Sequence, residues 1–255
     1  MSAVTIWLPK QYGAWAMLLA PVIAGGLLAG FGWPNVVLLL AWVCAYLGFM
    51  AVRGVINGRQ RQAYIAAMVV YWAVAAALIV TLLWWRLAFI WWAIPLACLL
   101  GTSLVLMVTK HERSAVNDAC LIGASALMTV ISATAAQLPT SPAWGGVATA
   151  VGQVTPWFAT IVMAAYFLGT IPYVKTLIRE RGKPGWYAAS VIYHCVLIVL
   201  AFLTMHAWLL AFSVLAAVRA TAVPRLWPHA KPKYIGIGEI TGTVAIVLIT
   251  WLTLG

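Results

Sequence analysis

The sequence predicts an all-α fold: a polytopic membrane bundle of nine transmembrane helices, N-terminus cytoplasmic and C-terminus outside. Three observations lead there. Of 255 residues, 65% are hydrophobic and only 7% charged, where a soluble domain carries about 25%. Apolar runs of roughly 17–24 residues recur along the chain, long enough to cross a bilayer as helices, with no alternating pattern that would suggest a barrel. With nine spans, every Lys and Arg except Arg86 falls on one side. Dropping any span destroys that asymmetry, which matches the gathering of cations in cytoplasmic loops. The net charge of +11 therefore reads as topology, and no nucleic-acid partner is expected. The chain reads as one integral membrane domain, 1–255.

The first span, 13–30, is entered through Pro9-Lys10-Gln11-Tyr12-Gly13-Ala14-Trp15. Lys10 can snorkel and Trp15 can sit at the headgroups, but Gln11 and Tyr12 are more polar than an anchor needs, so Lys10 and Gln11 join the candidate binding residues. The second, 36–52, closes on Arg53-Gly54-Val55-Ile56-Asn57-Gly58-Arg59-Gln60-Arg61. Arg53 and Asn57 are four apart on one helix face. An unpaired Arg53 at depth would cost on the order of 2–3 kcal/mol. Gly54 and Gly58 share the same spacing and permit close helix approach. The third and fourth spans, 64–83 and 87–109, are joined by the tight Trp84-Trp85-Arg86 turn.

Between the fourth span and the fifth, 119–136, lies Lys110-His111-Glu112-Arg113-Ser114-Ala115-Val116-Asn117-Asp118, with two of the chain's four carboxylates. Glu112 and Arg113 are placed to pair in the loop. Asp118 suits the positive end of the helix it opens, and Asn117 can bind backbone, ligand or a partner side chain. An uncharged loop, 137–156, leads to the sixth span, 157–177. There Tyr166, Thr170 and Tyr173 share a face continued by Thr176, Arg179 and Glu180, and Pro172 interrupts the hydrogen-bond ladder. Arg179 and Arg181 at its end suit an oxyanion or phosphate, which a guanidinium grips in a bidentate way. The seventh and eighth spans, 188–205 and 207–223, meet near His206. The seventh carries His194 near its middle, read as a neutral, hydrogen-bonded histidine. The ninth, 234–254, follows Lys231-Pro232-Lys233 and carries Glu239 between Gly238 and Gly242. An intramembrane ionisable residue is a functional candidate by default, and the two glycines mark a close-packing surface.

The four cysteines fall inside apolar runs without metal-ligand spacing and read as small buried hydrophobes. No Walker loop, H-E-x-x-H or Ser-His-Asp order occurs. Four scattered acids make a magnesium cage hard to build, so neither metal nor cofactor is expected.

Taken together, the 9–15 motif, Glu112-Arg113-Ser114 with Asn117, the 176–182 segment, and Lys231-Pro232-Lys233 with Gly236 and Glu239 resemble the YwiC-like family of bacterial integral membrane proteins. The resemblance spans essentially the whole chain and implies a multi-pass protein of the bacterial inner membrane. It brings no biochemical activity with it. Arg53-Gly54-Val55-Ile56-Asn57-Gly58 and the 173–182 segment also resemble, more distantly, the cytoplasmic motifs of the UbiA superfamily of intramembrane prenyltransferases. That likeness implies a nine-helix architecture and prenyl transfer. The superfamily's repeated aspartates are absent, however: Gly58, Arg59 and Arg61 stand where acids would be expected.

The leading expectation is a cytoplasm-facing polar cavity lined by the ends of the second, fourth, fifth, sixth and ninth spans. It would bind an anionic or phosphorylated, prenyl phosphate-like amphiphile from the lipid bilayer. Arg53, Arg179 and Arg181 would hold the head group, with Lys10, Gln11, Asn57, Arg113, Asn117, Tyr166, Tyr173, Thr176 and Lys233 around it. Glu239 and Asp118 would orient cations or shuttle protons as the catalytic pair of a transferase. The competing readings are a permease for a small anion, with Glu239 or His194 handling protons, and an assembly partner of a membrane complex.

Overall fold

The computed structural model describes residues 6–8, 12–57 and 61–255, the side chains of residues 12, 13 and 57 aside. Lys10 and Gln11, with Gly58 and Arg59, lie outside the described residues, as does the side chain of Asn57. The helices are α1 Tyr12–Ala29, α2 Trp33–Asn57, α3 Arg61–Trp85, α4 Ala93–Val108, α5 Ala115–Thr134, α6 Trp144–Val151, α7 Val154–Leu177, α8 Pro184–Leu203, α9 Ala207–Leu226 and α10 Pro232–Leu254. Every described element is helical. Among the described residues, eight helical segments are long and apolar enough to cross a membrane, and Ala14–Ala29 of α1 is a shorter apolar helix. Large apolar side chains stand exposed along their outer faces, among them Val69, Val80, Val105, Ile161, Ile192, Leu215 and Leu252. In water such surfaces would drive aggregation; against hydrocarbon they cost nothing. This is a multi-pass membrane protein.

The elements match the nine expected spans with two differences. The fourth span is not one α-helix. A 3₁₀ turn, Leu87–Trp92, precedes α4. It is held where Leu87 N–H donates to the Thr140 carbonyl at 3.2 Å and the Trp91 indole donates to the Pro142 carbonyl at 2.8 Å. The 137–156 segment, expected to be a loop, contains α6. Its Val147 and Ala150 pack into a core with Leu82, Phe89, Trp92, Met128, Ile131 and Leu138. The cysteines also differ from expectation: Cys98 and Cys195 are exposed on helix faces and the other two are half-buried. An exposed position on a membrane-spanning helix is apolar because lipid surrounds it, so an apolar run does not imply burial in protein.

The chain divides into two compact units, residues 1–160 and 161–255. In the first, α1 packs tightly on α5. A Cβ built on Gly25 would lie 2.1 Å from the Thr129 carbonyl oxygen, so only glycine lets the two backbones come this close. Pro21 lies inside α1 and has no N–H for the Met17 carbonyl. Ser125 of α5 donates to that carbonyl at 2.5 Å. Ser132 donates to the Val22 carbonyl at 2.7 Å, and Asn35 Nδ2 donates to both the Ser132 carbonyl and its hydroxyl at 2.9 Å. Polar atoms here do the packing that hydrophobicity cannot do inside a membrane.

In the second unit, α7, α9 and α10 meet around Tyr173, Leu177, Ala220 and Ile235. Gly169 of α7 lies under the Tyr193 ring of α8, where a Cβ would be 2.9 Å from a ring carbon. Tyr193 donates to the Ala165 carbonyl at 2.9 Å.

Candidate functional site

Two polar clusters carry the sequence's candidates, one in each unit. The first is shaped by the end of α4. Lys110 takes a left-handed backbone, φ 63°, where helix ends usually place glycine. Its N–H donates to the Met107 carbonyl at 3.1 Å and the His111 N–H donates to the Leu106 carbonyl at 2.7 Å. These two bonds close the helix in a Schellman turn. The chain then reverses into α5, whose first turn is capped by Ser114, its hydroxyl accepting from Asn117 N–H.

This reversal sets Glu112 against Arg53 rather than Arg113. The Arg53 guanidinium donates Nε and Nη2 to the two carboxylate oxygens, each at 3.0 Å. Arg113 is exposed, and Asp118 lies in the first turn of α5. Asn117 is buried between α4 and α5. Its Nδ2 donates to the Glu112 carbonyl at 2.8 Å and its Oδ1 accepts from the buried Ser103 hydroxyl at 2.6 Å. Gly54, one residue past Arg53, has the ring of Tyr64 within 2.2 Å of where its Cβ would be, so the end of α2 lies against the start of α3. The cluster is a satisfied brace across the ends of α2, α4 and α5. Asn117→Leu should lower stability by about 2 kcal/mol, because it strands the Ser103 hydroxyl and the Glu112 carbonyl. Denaturant titration in detergent reads the loss, and Ser103→Ala in the same background should add almost nothing.

The second cluster is built on Glu239 of α10. Arg219 of α9 sets Nη1 3.0 Å from Oε1 of Glu239, with side-chain exposures of 24% and 11%. The two groups approach without an aligned hydrogen bond to Oε1, unlike the fork of Arg53. The Arg219 guanidinium lies over the Tyr173 ring, 4.4 Å from its centroid. Behind the pair, Tyr166 donates to the Glu239 main-chain carbonyl at 3.2 Å, and Thr243 donates to the same oxygen at 2.8 Å. Gly242 permits this approach: a Cβ there would stand 2.6 Å from the Tyr166 hydroxyl. Gly238 does not serve close packing as expected. It faces open space and lines a cleft. His194 is buried in α8 and its Nδ1 donates to the Ser190 carbonyl at 2.7 Å.

The cleft has a volume of about 730 Å³ and lies where α7 and α9 end and α10 begins. Its cationic and donor groups are Arg219, Lys231 and His229. Its aromatic walls are Tyr173, Trp227 and Tyr234, with Val223, Leu226 and Ile235 between them. Among the described residues no carboxylate lines it; Glu239 stands behind Arg219. Among the sequence candidates of this unit, Tyr173 lines the cleft and Tyr166 supports it from behind. Thr176 and Arg181 line a neighbouring, smaller cleft. Arg179 and Lys233 are exposed and line neither. Sequence reasoning missed Arg219, Lys231 and His229 as site residues. The available signal was Arg219 itself, a cation on an apolar helix that could neutralise Glu239.

Comparison with known proteins gives the chain's family. A family described as YwiC-like protein matches residues 8–133. "Uncharacterized protein YwiC" from Bacillus subtilis is 30% identical over 91% of this chain and 92% of its own length. An uncharacterized protein from Haemophilus influenzae is 28% identical over 84% of this chain and 85% of its own. No solved structure matches. The chain belongs to the YwiC-like family of membrane proteins.

Proposed function

We propose that this protein binds an anionic, phosphorylated amphiphile of the prenyl phosphate type in the cleft at the ends of α7, α9 and α10, on the cytoplasmic side of a bacterial inner membrane. The observation that carries the reading is the cleft lining: Arg219, Lys231 and His229 without a carboxylate, beside an apolar and aromatic wall. Its volume falls in the range of small-molecule sites, about 300–1,000 Å³. A guanidinium resting on Tyr173 is pre-organised to meet an oxyanion, and loses less freedom than a free side chain would. Leu226, Trp227 and Tyr234 are exposed at the rim, where an acyl or prenyl chain can run out into lipid.

The lining offers no carboxylate to a divalent cation, so binding should not depend on magnesium. This separates the reading from the aspartate–magnesium route of the UbiA superfamily, although transfer chemistry at a directly bound phosphate remains compatible with it. The test is thermal stabilisation of the detergent-purified protein by a panel of isoprenyl mono- and diphosphates, free prenols and simple oxyanions, each with and without magnesium. A prenyl phosphate should raise the melting temperature equally in both conditions, and Lys231→Gln should reduce its apparent affinity about fivefold. Stabilisation by oxyanions alone, and its loss in Lys231→Gln, would overturn the amphiphile reading and favour anion transport, to be followed in proteoliposomes.

A further inference from the structure

A second cleft, about 400 Å³, adjoins the first and shares Pro228 and His229 with it. We infer that this second cleft is a separate binding site for a small, water-soluble phosphate-type oxyanion, set beside the amphiphile's head group. Its chemistry differs from that of its neighbour. Arg181, Lys183 and Arg225 line it together with Thr176 and Tyr187, and no carboxylate does. The long apolar side chains and exposed Trp227 that would accommodate a lipid tail belong to the first cleft; here the apolar contacts are prolines and Leu177.

Two of its guanidiniums are held in place before any ligand arrives. Arg181 donates Nε and Nη2 to the Leu177 carbonyl at 2.9 and 2.7 Å, and Nη2 also reaches the Ala230 carbonyl at 3.3 Å. It therefore ties the end of α7 to the segment joining α9 and α10, which carries the shared Pro228 and His229. Arg225 lies over the Tyr187 ring, 5.2 Å from its centroid, and Tyr187 is itself fixed by donating to the Thr221 carbonyl at 3.2 Å. Fixed guanidiniums facing a cavity bind a tetrahedral oxyanion with little ordering cost. The third cation is partly neutralised: Lys183 pairs with Glu180 at 2.7 Å, outside the lining. That pair gives the site a test that strengthens binding instead of abolishing it.

The experiment is calorimetric titration of inorganic pyrophosphate into the full-length protein in a neutral, phosphate-free detergent. Wild type should bind one pyrophosphate. Arg225→Gln should weaken it at least tenfold, and Glu180→Gln should tighten it two- to threefold by releasing Lys183. Lys231→Gln, which alters only the first cleft, should change it less than twofold. Equal loss in Lys231→Gln and Arg225→Gln would mean one merged site and overturn the inference. So would absent binding in wild type, or an unchanged affinity in Glu180→Gln. Glu180 is partly exposed and its replacement by Gln keeps its size, so that variant remains decisive even where Arg225→Gln fails to fold. Loss of prenyl phosphate affinity in Lys231→Gln reads the first cleft, and loss of pyrophosphate affinity in Arg225→Gln reads the second, so either reading can fail while the other stands.

Discussion

Arg219→Gln should lower the stability of the purified protein by about 3 kcal/mol, and adding Glu239→Gln should restore most of that loss. A nearly buried carboxylate left without its partner keeps its desolvation cost and loses the attraction that offset it, and broken pairs of this kind cost about 3–5 kcal/mol. The lower end applies because Arg219 keeps 24% of its side-chain surface. Replacing both charges by amides removes the cost along with the attraction, so the double variant should lie within about 1 kcal/mol of wild type. Equilibrium unfolding of the four proteins of the cycle measures the coupling directly. Simple addition of the two losses would show that the pair does not act as a unit. The cycle also separates stability from binding: the double variant should be folded yet unable to hold the anionic amphiphile.

Gly25→Ala should cost about 3 kcal/mol, a large penalty for one methyl group. The new Cβ would meet the Thr129 carbonyl oxygen at 2.1 Å and the Ala133 nitrogen and Ser132 Cβ at 2.9 Å. These are backbone atoms or atoms next to it, so no side-chain rotation relieves the clash, and overpacking of this kind reaches the upper part of its usual range of about 1–3 kcal/mol. Parting α1 from α5 would also stretch the bonds from Ser125 and Ser132 to the α1 carbonyls. Gly101→Ala is the control. Nothing lies within 4 Å of its Cβ position, and alanine is the better helix former by about 1 kcal/mol, so that variant should be neutral or slightly more stable. A small effect at Gly25 would mean that the two helices are not held at this separation.

The apolar segments were legible because each is a long uniform run, and because Arg86 alone opposes the distribution of cations. α6 was not legible: eight residues with two glycines give no period long enough to read, and its helix is fixed by packing Val147 and Ala150 into the core. Glu239 and the tyrosines of α7 were legible as candidates, since a charge and a polar stripe stand out in an apolar chain. Their partner was not. Arg219 looked like one more topological cation, because helix order along the chain does not say which helices touch. The same gap explains Glu112, which reaches back to Arg53 rather than to its neighbour Arg113. It also explains the two glycines of α10: Gly242 meets Tyr166, whereas Gly238 opens onto the cleft. Spacing alone treats those two positions alike.

The Met17 carbonyl, freed by Pro21 and satisfied by Ser125, bears on how the protein is made. Its acceptor and donor are 108 residues apart in sequence. During synthesis α1 is complete long before α5 emerges, and in the interval it carries a bare carbonyl and a glycine notch that lipid cannot fill. A helix in that condition gains little by diffusing away from the insertion machinery. α1 is thus the segment expected to linger at the translocation site, released only when the serine-bearing face of α5 arrives to receive it.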